Sequence, residues 1–203
     1  MIANFKRSAH LYLDHTPDKE LDFEWLSVMQ HFGAPTRLLD FSFSPYVGLF
    51  FALSGMKQKA SVYCVKFKDI KEIDEATYDD VAQKYDNIMA QNKVLDNTVL
   101  LPFEPRFTNQ RLLAQQGAFL IPNTLNYSHD KILECYDIEG NDEFVYKLNI
   151  SETATIELIE NLAKMNISYA TIFPGIEGFC RSFETIGIIP ISRFRSIYES
   201  GSV

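Results

Sequence analysis

Between Gln30 and Ala52 the chain reads QHFGAPTRLLDFSFSPYVGLFFA, which sets His31, Thr36, Arg37, Asp40, Ser42 and Ser44 against one of its most apolar runs. If residues 36–44 are extended, Thr36, Asp40, Ser42 and Ser44 share one face and Arg37 lies on the other. Such a face is a hydrogen-bonding edge. A second constellation is Arg111-Leu-Leu-Ala-Gln115-Gln116-Gly117, where two adjacent amides and a glycine at a helix-to-strand junction can offer donors to a sugar or a base. Arg37, Arg106 and Arg111 are candidates for a small basic pocket that holds one phosphorylated ligand. A third stretch, Phe173-Pro174-Gly175-Ile176-Glu177-Gly178, opens a helix and is read as structural.

Each of these residues also has a role that needs no ligand. Asp40 and Ser44 can satisfy turn and helix-start N–H groups, and Arg37 can pair with a carboxylate. His31 in the last turn of a helix suits the negative end of the dipole. Gln115 and Gln116 can cap a helix C-terminus.

Other chemistries find no motif. The sequence has no GxGxxG, no GxxxxGK[ST], no HExxH and no GxSxG, so the Rossmann, P-loop, zinc-protease and hydrolase readings lose their main support. Cys64, Cys135 and Cys180 are far apart among apolar neighbours and are expected as reduced core thiols. His10 and His15 are five apart, a poor ligand spacing, and are expected at the surface; no metal is expected. The 203 residues carry 19 Lys and Arg against 27 Asp and Glu, a net charge of −8. With no basic run, a broad duplex-binding surface is excluded. Hydrophobic residues at 46% exclude disorder, and no run is long enough to span a membrane. The reading is a soluble, cytoplasmic protein of one domain over residues 1–203.

The elements that must position these residues follow from periodicity. A helix is expected at 4–13, then another from a Thr16-Pro17 start, with Leu21, Trp25, Val28, Met29 and Phe32 on one face, ending at Gly33. TRLLDF reads as a strand, and Ser44-Pro45 as the N-cap and first position of a helix apolar on nearly every side, where Gly48 and Ala52 would admit a close backbone neighbour. Strands are expected at 61–67, 99–103, 118–122, 132–138, 143–150 and 167–173, with Glu139-Gly140-Asn141-Asp142 as a hairpin turn. Helices are expected at 107–116, 151–166 and 174–184, and residues 70–97 form a variable insertion. Mixed order and hairpins give an α+β fold, a central mixed or antiparallel sheet flanked by helices.

With these motifs in view the chain resembles the FRG domain family. QHFGAPTRLLDFSFSPYVGLFFA resembles its central motif, with Phe41 where Trp is usual and Gly48 where Ala is usual. RLLAQQGAF and ATIFPGIEGFCRSF resemble its second and closing motifs. The family's Phe-Arg-Gly strand has no counterpart here, so a domain that lacks it, by truncation or natural divergence, with an exposed sheet edge and prone to homodimerise, is expected. The family pattern is in turn similar to the ADP-ribosyltransferase fold, which implies a split sheet, NAD as substrate and a bacterial or phage toxin or defence role. Under that resemblance Gln115 and Gln116 are the catalytic candidates, and His31, Thr36, Arg37, Asp40, Ser42, Ser44 and Arg111 the ligand-binding ones. A first-strand arginine and a late glutamate are not found. A non-catalytic nucleotide or nucleic-acid module and a plain interaction domain stand as alternatives.

Overall fold

The structure, a computed structural model, describes residues 1–54, 59–70, 72, 100–122, 124–134 and 145–186. Its helices are α1 (Ile2–Ala9), α2 (Asp22–His31), α3 (Pro45–Leu53), α4 (Gln110–Ala114), α5 (His129–Glu134), α6 (Thr155–Lys164), α7 (Tyr169–Ile172) and α8 (Ile176–Ile186). Its strands are β1 (Leu39–Ser42), β2 (Ala60–Val65), β3 (Leu100–Phe103), β4 (Gly117–Pro122) and β5 (Val145–Ile150). One sheet has the order β1-β4-β3 and the other pairs β2 with β5. β3 and β4 are antiparallel, with Leu101 opposite Ile121. Just past β1, the Phe43 N–H donates to the Gln116 carbonyl just before β4, at 2.9 Å, a register only antiparallel strands can make. The fold is mixed α+β, as the sequence predicts.

Two compact units divide the described chain. The first takes residues 1–41, 65–108 and 118–145, the second 42–64, 109–117 and 146–203.

In the first unit, Ile70, Leu100, Leu120, Ile132 and Leu133 form a core against which Leu39, Phe41 and Phe67 pack. The alternation expected of 36–44 thus puts Leu39 and Phe41 inward and leaves Asp40 exposed. α1 lies on α2 through Phe5 and Trp25, whose rings meet edge-on at 6.1 Å, and through the Lys6–Asp22 ion pair. α2 ends in a Schellman motif. The Ala34 N–H donates to the Met29 carbonyl and that of Gly33 to Gln30, both at 2.9 Å, while Gly33 takes φ +81°.

In the second unit, Val47, Phe50 and Leu53 of α3 pack with Leu162 of α6 and Ile172 of α7. α6 stops by the same device, with Asn166 at φ +60° in the place of glycine and the Ile167 N–H donating to the Leu162 carbonyl at 2.9 Å. Ser44 caps α3 by accepting the Val47 N–H at 3.4 Å, with Pro45 in the first turn. α7 and α8 touch closely. A Cβ placed on Gly178 would stand 1.9 Å from the Phe173 carbonyl oxygen and 2.7 Å from that of Tyr169.

Several expectations are corrected. Residues 132–134 belong to helix α5, not to a strand, and β5 neighbours β2; residues 135–138 and the 139–142 turn lie outside the described residues. Residues 169–172 are helical because Ser168 and Thr171 form a capping box that starts α7. α2 begins at Asp22 rather than after Thr16-Pro17. The segment before it is held as a turn by the Leu21 N–H to Asp18 carbonyl bond and by the Trp25 indole, which donates to Asp18 at 3.0 Å. α3 is not buried all round, since Tyr46 and Phe51 are exposed. Gly48 faces the Val62 side chain at ordinary contact distance rather than a close backbone. Cys180 is exposed and Cys64 half-buried, so neither is a core thiol; Cys135 and nearly all of the 70–97 segment lie outside the described residues.

The two glycines that admit close contacts make a graded test. At Gly117 a Cβ would meet the tip of the Leu112 side chain at 2.4 Å, which can swing aside; at Gly178 it meets backbone. Gly178→Ala is therefore expected to lower stability by more than about 3 kcal/mol and Gly117→Ala by about 1 kcal/mol, read by chemical denaturation.

Candidate functional site

In the first unit the central motif begins as a brace. Thr36 donates its hydroxyl to the Gln30 side-chain carbonyl. The Gln30 amide donates to the Leu38 carbonyl at 3.3 Å, and the Leu38 N–H donates back to the Thr36 hydroxyl at 3.1 Å. These bonds clip the Gly33–Leu38 loop onto the end of α2, which explains the glutamine and threonine without a ligand. The His31 and Phe32 rings meet edge-on at 4.8 Å.

Arg37 differs from its neighbours. It is half-buried, and among the described residues no carboxylate or carbonyl takes a hydrogen bond or ion pair from it. Burial pushes its guanidinium below the ordinary arginine range, because the charged form loses water. The structural ion pair that the sequence offers as its bland role is absent among the described residues. Arg106, also of this unit, has an exposed side chain, and its N–H donates to buried Glu24 at 2.8 Å.

The second unit gathers the rest of the expected set. The Ser42 hydroxyl donates to the Gln115 carbonyl at 2.7 Å and accepts the Ser44 N–H at 3.1 Å. The Gln115 side-chain amide donates to the Ile172 carbonyl at 3.3 Å. Arg111 lies one turn earlier on α4, its guanidinium 4.5 Å above the centre of the Phe173 ring. Asn109 caps α4 by accepting the Leu112 N–H at 2.8 Å. Three separate stretches of sequence thus meet here: the serines before α3, the α4–β4 junction and the end of α7. Ser42, Ser44 and Gln115 are committed to backbone groups.

Gln116 follows with φ +46°, a left-handed conformation that side chains other than glycine adopt at a cost. Its N–H donates to the Leu113 carbonyl at 3.1 Å, so it occupies the cap position where glycine is usual, and its side chain is exposed. Exposed Phe43 and Tyr46 lie in the same unit beside the α3 start. Phe173, in the third stretch that the sequence reads as structural, is the aromatic that holds Arg111. Its only sequence signal is an aromatic residue just before Pro-Gly. Among the described residues no group of His, Cys, Asp and Glu is placed to hold a metal ion, and no helix among them is long and apolar enough to cross a membrane.

The family model of the FRG domain matches residues 1–61. Over these residues the chain is similar to the FRG domain family. The match takes in the whole central motif, from Gln30 through the FRG-like serines to α3 and on to Ser61. No curated protein and no solved structure matches the chain.

Two substitutions separate folding from function within these residues. Gln116→Gly relieves the left-handed strain and is expected to stabilise the protein by about 1 kcal/mol in denaturant titrations. At Arg37 the folded pKa is lowered, so the charged form carries a cost at every pH below that value, including the whole neutral range. Arg37→Met is therefore expected to leave the melting temperature unchanged or raised at pH 7; a clear fall would make the arginine a structural group.

Proposed function

We propose that this protein binds an NAD-type dinucleotide at the junction of α4, β4 and the start of α3, and transfers ADP-ribose from it. One observation carries the reading: the Ser42–Gln115–Ile172 hydrogen-bond chain, which gathers three distant motifs into one unit. The serines act as positioning residues, since their hydroxyls are spent on the backbone. We assign the exposed Gln116 amide to hydrogen-bond a ribose or carboxamide, and the exposed Tyr46 ring to meet a base.

In the transfer, the bond between ribose C1′ and the nicotinamide nitrogen breaks, and its electron pair leaves with neutral nicotinamide. An acceptor lone pair, from water or a macromolecule, forms the new bond at C1′ and the acceptor loses a proton. The charge that develops on the ribose is stabilised by oriented dipoles, which the Gln116 amide supplies. The α4–β4 junction carries amides and no carboxylate, and this favours, as a second reading, a module that binds the nucleotide without turnover.

The purified chain with NAD distinguishes the two. Nicotinamide release, reduced at least about tenfold by Gln116→Ala at unchanged melting temperature, supports transfer. Saturable NAD binding with no nicotinamide supports the second reading. Absence of both binding and release overturns each.

A further inference from the structure

We propose that Arg111 is a diphosphate clamp, its guanidinium held over the Phe173 ring so that its N–H donors receive a phosphate group. The inference deepens the nucleotide reading and rests on it for the identity of the whole ligand, while the clamp itself is defined by its own geometry.

The platform is rigid. Tyr169 stacks on Phe173 with ring centres 5.7 Å apart and planes inclined by 26°, and Phe51 meets it edge-on at 5.9 Å. Its backbone is fixed by the close approach of Gly178. The Arg111 guanidinium sits 4.5 Å over this ring, and Gln115, one turn on along α4, is tied to the adjacent Ile172 carbonyl. Two contacts one helical turn apart therefore set the direction of the side chain.

Among the described residues the Phe173 ring is thus the partner of the guanidinium, and its N–H donors are uncommitted. Arg111 donates no hydrogen bond and makes no ion pair among the described residues. Glu177, the acidic residue nearest Phe173 along the chain, is engaged by Arg181 at 3.1 Å. A guanidinium carries five donors in a planar fork that matches two oxygens of a phosphate, and stacking on an aromatic face leaves that fork open. Because Arg111 is half-buried, an incoming oxyanion meets a partly dehydrated cation. Lysine would keep the charge and lose the planar fork, so the arrangement favours arginine over a simple positive charge.

The test titrates the full chain with inorganic pyrophosphate and, separately, with NAD, by calorimetry at low ionic strength. Three proteins are compared: wild type, Arg111→Lys and Arg111→Met, the last of which keeps an apolar contact with Phe173. The wild type is expected to bind pyrophosphate saturably, and both variants to bind it at least about tenfold more weakly at unchanged melting temperature. Equal pyrophosphate affinity in wild type and either folded variant overturns the clamp. If NAD binds and neither variant weakens it, the nucleotide reading stands and the clamp falls. If pyrophosphate binding depends on Arg111 and NAD does not bind, the clamp stands and the nucleotide reading falls. Failure of the wild type to bind either compound overturns both.

Discussion

The Ser42 hydroxyl, between the Gln115 carbonyl and the Ser44 N–H, is the contact on which the second unit depends most. It fixes where the extended chain ends and where α3 begins, and it holds the last turn of α4 in place. The neighbouring Phe43 N–H to Gln116 carbonyl bond adds a second tie at the same point. A buried or half-buried carbonyl at a helix end must find a donor, and here a side chain distant in sequence supplies it. The left-handed turn at Gln116 is affordable because these bonds leave the chain little choice.

A contrast in polar satisfaction runs through the central motif and its partners. Gln30, Thr36, Ser42, Ser44 and Gln115 spend their hydrogen bonds on the backbone that shapes the loops. Arg37 and Arg111 have no such commitment among the described residues. Shape and charge are thus carried by different side chains, a division that lets the scaffold be rigid while cations stay open to an anion.

The sequence revealed the parts governed by strong local rules. The apolar face of α2, its Gly33 stop and the Ser44-Pro45 start of α3 could be read directly, as could β3, β4 and α8. It misled where short apolar runs are ambiguous. Ile132 and Leu133 sit in the core of the first unit on a helix, although their β-branched and aromatic neighbourhood suggested a strand. The Ser168–Thr171 box was missed because threonine stands where glutamate or glutamine is the usual signal. Of the candidate residues, sequence located the cluster but not the use of each hydroxyl, since a serine that caps and a serine that binds are the same letter. The Arg111–Phe173 contact joins residues 62 positions apart, which no local pattern encodes.

The interleaving of the two units has a consequence for how the protein comes to exist. The first unit takes residues from 1 to 145 in three pieces, and the second begins at 42 and draws on residues beyond 146. Neither can close on a growing chain until most of the sequence has left the ribosome, so early hydrophobic stretches such as α3 must wait for α6 and α7. The FRG-matched stretch of residues 1–61 takes a piece of each unit and ends inside the second. A fragment cut at its boundary would carry the central motif with neither core to hold it.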